Sequence, residues 1–319
     1  MNANEQLKTK ILLSSTSLGS GNCGLAFYRR VVKGYRSPKM HPRLVYGVAF
    51  HKFMDVACKT KDLKLAKEKA LQAFELPKVE PKRGEEHLSD FNHLFKVACE
   101  AWFTWIADDQ SFSLIADGDG KPLTEQSFQI PFYKGEVLEV DLAGTLDKIG
   151  KIAGGIFAFG DWKTTSSWDN KGYFKQYELA RQLRLYRLAT LLEAERNPES
   201  VVGRLGKEPN LGAFIDAVFL KPSVGEVKFE RSKFFIFHAE EMEEFKQGLL
   251  RWCKRFEQSL IDGTVHARDG IVTGACEGKW GKCDYWNICA APKGAVDVML
   301  KSNFNQIPWN PLDYNGLED

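Results

Sequence analysis

The chain has 319 residues, 44% of them hydrophobic and 27% charged. That is enough apolar material for a large core in one domain or two lobes, and it excludes a disordered or fibrous protein. No apolar run approaches the roughly 20 residues that span a bilayer, and the polar start of the chain lacks export-signal architecture, so a cytoplasmic protein with no membrane partner is expected. A net charge of +2 excludes little, and seven cysteines in such a chain predict thiols, metal ligands or core packing rather than a disulfide framework.

Charge is unevenly spread near the front of the chain. Between Glu5 and Asp55 there is no acidic residue, while Lys8, Lys10, Arg29, Arg30, Lys33, Arg36, Lys39, Arg43 and Lys52 all fall in that interval. Singly these fit a solvated face; as a group they favour contact with a polyanion such as DNA. Within the interval, SSTSLGSGNCGLAFYRR (14–30) reads as a serine-capped short helix leading to Cys23 and then an aromatic, basic helix. VYGVAFHKFMDVAC (45–58) predicts a helix with Gly47 and His51 on one face, the glycine allowing close approach to a sheet. A histidine there fits a packed core residue as well as a metal ligand.

From Asp62 to about Trp105 the chain reads as helical, with Leu88, Phe91, Phe95, Ala98, Trp102 and Trp105 as a buried stripe and Cys58 and Cys99 as core. The first strands are expected from residue 110 to 135, and the run closes near EVLEVDLAGTLD (136–147). GTLDKIGKIAGGIFAFGDWKTT (144–165) then reads as an antiparallel hairpin, its turn signalled by Gly150 and the Gly154-Gly155 pair. Asp147 falls on its first strand and Asp161 on its second, with Lys163 on the face of Asp161 and Trp162 on the other. Glu139 and Asp141 alternate in phase with Asp147, which makes Asp141 a reserve ligand.

Two facing carboxylates repel unless a cation lies between them, and Mg²⁺ or Mn²⁺ is the usual answer. A lysine beside them orients or deprotonates a water and offsets charge developing on a phosphate; an exposed strand face is the plain alternative for such a D-x-K. In the helix that follows, Gln182 and Tyr186 share one face, with Glu178 a turn earlier. That face suits a nucleotide phosphate or a water, and Tyr186 as simple core is the other reading. Residues 201–237 supply further strands, and 239–260 is an amphipathic helix with Met242, Phe245, Leu249, Trp252 and Phe256 as its stripe and Cys253 beside it. GACEGKWGKCDYWNICAAP (274–292) holds Cys276, Cys283 and Cys289, a density that suits zinc or an iron–sulfur centre. The tail, with Trp309, Asn310 and Pro311, packs on the domain or engages a partner.

Taken in order, Gly47-x3-His51, Asp147, Asp161-x-Lys163 and Gln182-x3-Tyr186 resemble the PD-(D/E)XK nuclease superfamily in its RecB-like, CRISPR-associated exonuclease branch. The resemblance spans residues 14–289. It implies an α/β fold with a restriction-endonuclease-like core, a mixed β-sheet flanked by helices, together with a helical subdomain and terminal segments tied by an iron–sulfur cluster. It implies that His51, Asp147, Asp161 and the backbone carbonyl of Trp162 ligate catalytic Mg²⁺ or Mn²⁺, that Lys163 is the catalytic lysine, and that Gln182 and Tyr186 position the substrate. Residues 14–30 resemble the branch's cysteine-bearing first segment, with Gly24 where proline is usual. Cys23 with Cys276, Cys283 and Cys289 then implies a structural [4Fe–4S] cluster, zinc being the alternative. The Cys283-x5-Cys289 gap matches the family, whereas Cys276-x6-Cys283 is longer than its usual spacing.

The implied organisation is an N-terminal segment (1–43), a helical subdomain carrying the G-x3-H motif (44–110), a nuclease core (111–262), a cluster segment (263–292) and a tail (293–319). The implied activity is that of a metal-dependent DNA nuclease, foremost an exonuclease acting on ends or single strands. Recombination, repair, phage DNA processing or CRISPR adaptation would be its setting, with a helicase or recombination protein as partner. The alternatives are a catalytically silent nucleic-acid-binding protein on the same fold, or a sequence-specific endonuclease.

Overall fold

The computed structural model describes residues 8–38, 42–76, 78, 90–167, 170–222, 225–278 and 281–313. Lys39 of the basic interval and Leu88 of the helical stripe lie outside the described residues. The first element is a strand, β1 (Thr9–Leu13), paired in parallel with residues 138–142. The sequence predicts no strand before residue 110, because Ile11-Leu12-Leu13 is too short to show a period and its partner is remote in the chain. Ser14 ends β1 and starts α1 (Ser15–Ser20) through a capping box, its hydroxyl accepting from Ser17 N while Ser17 Oγ accepts from Ser14 N. A short α2 (Gly24–Phe27) runs into a wider helical turn at 28–32 and then β2 (Tyr35–Arg36).

Three helices follow: α3 (Pro42–Thr60), α4 (Leu63–Ala73) and α5 (Phe91–Asp108), the last two capped by Asp62 and Asp90. Phe91, Phe95, Ala98 and Trp102 recur at helical spacing and are buried, whereas Trp105 is only partly so. The helical layer shares its core with the sheet, since Trp162, Val218 and Leu220 pack into it. Cys99 is buried there and Cys58 is half-buried at its edge. Tyr46, Phe50, Phe53, Phe95, Trp102 and Trp162 are each at most 2% exposed, and a fully buried side chain of this size contributes about 1.5–3 kcal/mol.

The sheet continues with β3 (Phe112–Leu114), β4 (Thr124–Lys134), β5 (Leu138–Ile152) and β6 (Phe157–Thr165). The β5–β6 hairpin turns on Gly154 and Gly155, both at positive φ. Gly150 is not part of that turn. It lies inside β5, where a Cβ would come within 2.2 Å of the Ser113 carbonyl oxygen on β3. The crossover to the next strand carries α6 (Asn170–Lys175), α7 (Arg181–Arg196) and α8 (Val201–Gly206). The sheet closes with β7 (Gly212–Lys221), parallel to β6, then β8 (Glu226–Arg231) and β9 (Phe235–Ile236), both antiparallel to β7.

The protein is thus α/β, with a mixed sheet of eight strands (β1 and β3–β9) between helical layers. One face packs on α3 and α5. The other packs on α7, α8 and the amphipathic α9 (Ala239–Ile261), whose Met242, Leu249, Cys253 and Phe256 are buried. Among the described residues, no helix is long and apolar enough to cross a membrane.

The arrangement around β5 decides where a site can form. β4 lies along one edge, from Thr124 opposite Lys148 to Lys134 opposite Glu139. The other edge is shared, β1 taking residues 138–142 and β6 taking 148–151. Among the described residues no strand pairs with 143–147 on that edge, so the sheet has a gap in its middle.

The C-terminal region contains α10 (Gly270–Thr273), the short hairpin β10 (Glu277–Gly278) and β11 (Gly281–Lys282), α11 (Trp286–Ala290) and α12 (Val296–Asn303). The final strand, β12 (Asn305–Gln306), pairs with β2. Trp309 Nε1 then donates to the Leu12 carbonyl at 3.0 Å, which holds the tail against the start of the chain.

Candidate active site

A pocket of about 350 Å³ opens at the gap in β5, a volume within the ~300–1,000 Å³ that small-molecule sites occupy. Because the sheet is interrupted there, side chains from both of its faces reach one space. His51 comes from α3 on one side, Gln182 and Tyr186 from α7 on the other, and Asp147, Asp161 and Lys163 from the strands between. Gly47 lets α3 approach, since a Cβ there would lie 3.1 Å from Thr164 Oγ1.

Hydrogen bonds fix the motif residues relative to one another. Gln182 Nε2 donates to Asp161 Oδ1 at 2.7 Å and to the Tyr186 hydroxyl at 2.9 Å. Tyr186 is buried edge-on against Phe128 and Phe159, so it is core and site at once. Asp161 Oδ2 pairs with Lys163 Nζ. Trp162 points away into the helical core, while its backbone N–H donates to Asp147 Oδ2 at 2.6 Å. His51 Nε2 lies 2.9 Å from the Trp162 carbonyl oxygen and its Nδ1 lies 3.6 Å from Asp147 Oδ2. A carbonyl only accepts, so Nε2 carries the proton in the neutral ring and Nδ1 turns a lone pair toward the carboxylate.

The charges in this cluster do not balance. Burial pushes Asp147 and Asp161 each up to about 6, against the pull of Lys163. Burial and then Lys163 push His51 down to about 4, so the imidazole is neutral. Burial opposes the charge on Lys163, but Asp161 and Asp147 outweigh it and hold the ammonium above its ordinary value.

One residue of the cluster carries no sequence signal. Glu125, on β4, has a ligand oxygen within 4.8 Å of those of His51 and Asp147. Burial, then Asp147 and Asp55, push it up to about 10. Three carboxylates therefore face one ammonium, and hard oxygen donors with an imidazole suit a divalent cation such as Mg²⁺ or Mn²⁺.

Two sequence expectations fail here. Asp141 shares a strand with Asp147 but not a site; six residues of strand separate them by roughly 20 Å, and Asp141 accepts from Gln129 at 2.6 Å and pairs with Lys10 at 3.4 Å. Glu178 is not on the helix of Gln182. Ala180 takes an extended conformation, residues 174–180 close a series of tight turns, and α7 starts only at Arg181, so Glu178 sits on the surface against Lys233.

The pocket mouth is built by residues the motifs did not point to, Ser14, Ser15, Thr16 and Arg36 among them, and by the tail residues Trp309–Pro311 and Asp313. Part of the basic interval is turned inward. Arg30 and Arg36 lie over the Trp309 ring at 5.4 and 5.2 Å, and Lys33 lies over Tyr28.

A second, smaller cavity is lined by all four candidate cysteines, Cys23, Cys276, Cys283 and Cys289. Gly270 makes room for them, for a Cβ there would lie 3.0 Å from Cys276 Sγ and 3.2 Å from Cys23 Sγ. Buried Arg29 donates to Cys289 Sγ at 3.2 Å and lies over Tyr285. Burial and then the neighbouring thiols push Cys276 up, and burial does the same to Cys283. Among the described residues, no three of these thiols lie within 4.8 Å of one another. A single tetrahedral zinc ion holds its sulfurs roughly 3.8 Å apart. A polynuclear cluster gives each thiolate its own iron and so holds them farther apart.

Compared with models of known protein families the chain matches none, and it matches no curated protein.

Proposed function

We propose that this chain is a divalent-cation-dependent deoxyribonuclease of the PD-(D/E)XK type, with a restriction-endonuclease-like core, hydrolysing phosphodiester bonds at DNA ends or in single strands. The observation that carries the reading is the meeting of His51, Asp147, Asp161, Lys163, Gln182 and Tyr186, from two helices and two strands, in one pocket. His51, Asp147 and Asp161 would hold Mg²⁺ or Mn²⁺, and such a cation, when bound, supplies Lewis-acid activation and neutralises phosphate charge.

The protein's own groups do the rest. Lys163, kept as an ammonium by its two aspartates, offsets charge that develops on the phosphate in the transition state. Gln182 fixes one oxygen of Asp161 and is itself held by Tyr186, so the carboxylate is oriented before substrate arrives. Arg36 and the hydroxyls of Ser14–Thr16 stand at the mouth, where an incoming strand presents its phosphates. The four cysteines would hold a [4Fe–4S] cluster with a structural role, joining the segment after α1 to the segment from α10 through α11.

The test is degradation of end-labelled single- and double-stranded oligonucleotides in Mn²⁺. Lys163→Ala and Asp161→Asn are each expected to lose about 10³-fold in rate. The melting temperature should hold for Asp161→Asn and fall for Lys163→Ala, which strips the buried acids of their ammonium, so the rates are compared at a temperature where both variants are folded. Parent-like cutting by Lys163→Ala would show the assignment to be wrong. DNA binding without cutting, over a range of divalent cations, would make the chain a binding protein, and discrete plasmid fragments would make it a site-specific endonuclease.

A further inference from the structure

Glu125 is the one member of the central cluster that the motif does not contain, and three independent features set it apart. Both of its carboxylate oxygens are buried without a hydrogen-bond partner among the described residues. Its φ of +50° is one of two positive values at non-glycine positions among the described residues, a conformation that costs energy for a residue with a Cβ. A ligand oxygen of Glu125 and ligand atoms of His51 and Asp147 all lie within 4.8 Å of one another.

The strand pairing explains how the side chain reaches that position. Thr124 is opposite Lys148 and Gln126 opposite Leu146, with no ladder pair between them, so Glu125 and Asp147 face each other across the strands. On β4 the residues entering the core beside α7 and α9 change phase between Leu123 and Phe128, and on β5 between Leu146 and Ile149, while the register of the two strands is the same from Thr124 to Pro131. The positive φ of Glu125 therefore turns its side chain without a shift in pairing. Two carboxyl groups brought face to face in a buried space, one of them with no hydrogen-bond partner, raise the energy of the fold whether one takes up a proton or stays charged, and a divalent cation between them would relieve that cost.

We propose that Glu125 is a further ligand of the divalent cation, joining His51 Nδ1 and Asp147 in the donor set that Asp161 completes. The remaining geometry agrees. Gln182 takes only Oδ1 of Asp161, and Oδ2, beside Lys163, is buried without a hydrogen bond among the described residues. The Trp162 carbonyl accepts from His51 Nε2, a hydrogen bond of the sort that fixes the tautomer of a ligating histidine. The inference rests on the cation-dependent reading above but not on DNA being the substrate.

The test is titration of the full chain with Mn²⁺ alone, read by calorimetry, with DNA hydrolysis measured separately. Glu125→Gln is expected to weaken Mn²⁺ binding roughly 10- to 100-fold, Glu125→Asp to weaken it less, and Asp141→Asn, outside the cluster, to leave it unchanged. The metal-free Glu125→Gln protein should melt higher than the parent, since an unpartnered buried carboxylate is gone, and should gain less from added Mn²⁺. If Glu125→Gln binds Mn²⁺ like the parent while Asp147→Asn does not, the inference falls and the nuclease reading stands. If Mn²⁺ binding depends on Glu125 but no DNA is cut, the nuclease reading falls and the inference stands. A parent chain that binds no Mn²⁺ overturns both.

Discussion

On β5 the adjacent residues Asp147 and Lys148 enter two different clusters of buried charge. Lys148, 1% exposed, pairs with Asp216 on β7. Asp216 also receives Arg231 Nε at 2.7 Å and Nη2 at 2.8 Å, and Arg231 reaches Asp109 and Ser111. Phe112, Trp162 and Phe214 present their rings to Lys148 Nζ. Two cations meet two anions, and the aromatic rings close the space around them. The Asp147 cluster has Glu125 and Asp161 as further acids, a neutral imidazole and a single ammonium. Balanced buried charge holds strands together; an excess of acids over cations, in a pocket open to solvent, is what a cation from outside would offset.

That contrast is broken most directly by removing one acid from each side. Asp216→Ala leaves Lys148 buried and unpaired and is expected to destabilise the protein by about 3–5 kcal/mol, whereas Asp147→Asn in metal-free protein should stabilise it. Urea denaturation of both variants checks this, and the same sign for both would mean that the two clusters are not different in kind.

The cysteine cavity extends the contrast to soft donors, where four thiols have one buried guanidinium for company. If the thiols hold the cluster proposed above, Cys289→Ser lowers bound iron and makes both ends of the chain more open to protease, because the group that would tie them is lost. Metal analysis and limited proteolysis read the two effects, and an unchanged cleavage pattern would remove the structural role.

The smallest effect sharpens the comparison at the level of single glutamates. Glu257 on α9 is also buried, yet it accepts from the Tyr133 hydroxyl, Val137 N and Leu138 N. Burial works to raise it, but these donors outweigh burial and hold it below the usual carboxylate range, the opposite of Glu125. Its contribution is therefore fully present above the unfolded value of about 4.3 and is lost as pH falls through the lower folded value. Glu257→Gln should cost roughly 1–2 kcal/mol near neutral pH, with the difference from the parent shrinking in acid. Denaturation curves at several pH values decide it, and a pH-independent difference would mean that packing, not charge, is lost.

Several elements were legible in advance because their rules are local. The hairpin of β5 and β6 follows from alternation and a glycine pair, so Asp161 and Lys163 share a face and Trp162 takes the other. Gln182 and Tyr186 follow from helical spacing. Where a local rule was carried too far it failed. Helical periodicity extended back over Glu178 ignored the turn ending at Ala180, and strand alternation extended back to Asp141 equated a shared face with a shared site.

What the sequence alone determined is the two aspartates, the histidine, the lysine, the glutamine and tyrosine, and the elements that bear them, since periods of two and 3.6 are properties of a few consecutive residues. What only the tertiary structure decided is that β1 and β6 share one edge of β5 and leave residues 143–147 open between them. That gap lets a helix from each face reach the same carboxylates, while the β2–β12 pairing brings Arg36 and Trp309 to the same pocket and β4 brings Glu125 beside His51 and Asp147. Such pairings join segments far apart in the chain, and no short window of residues encodes them.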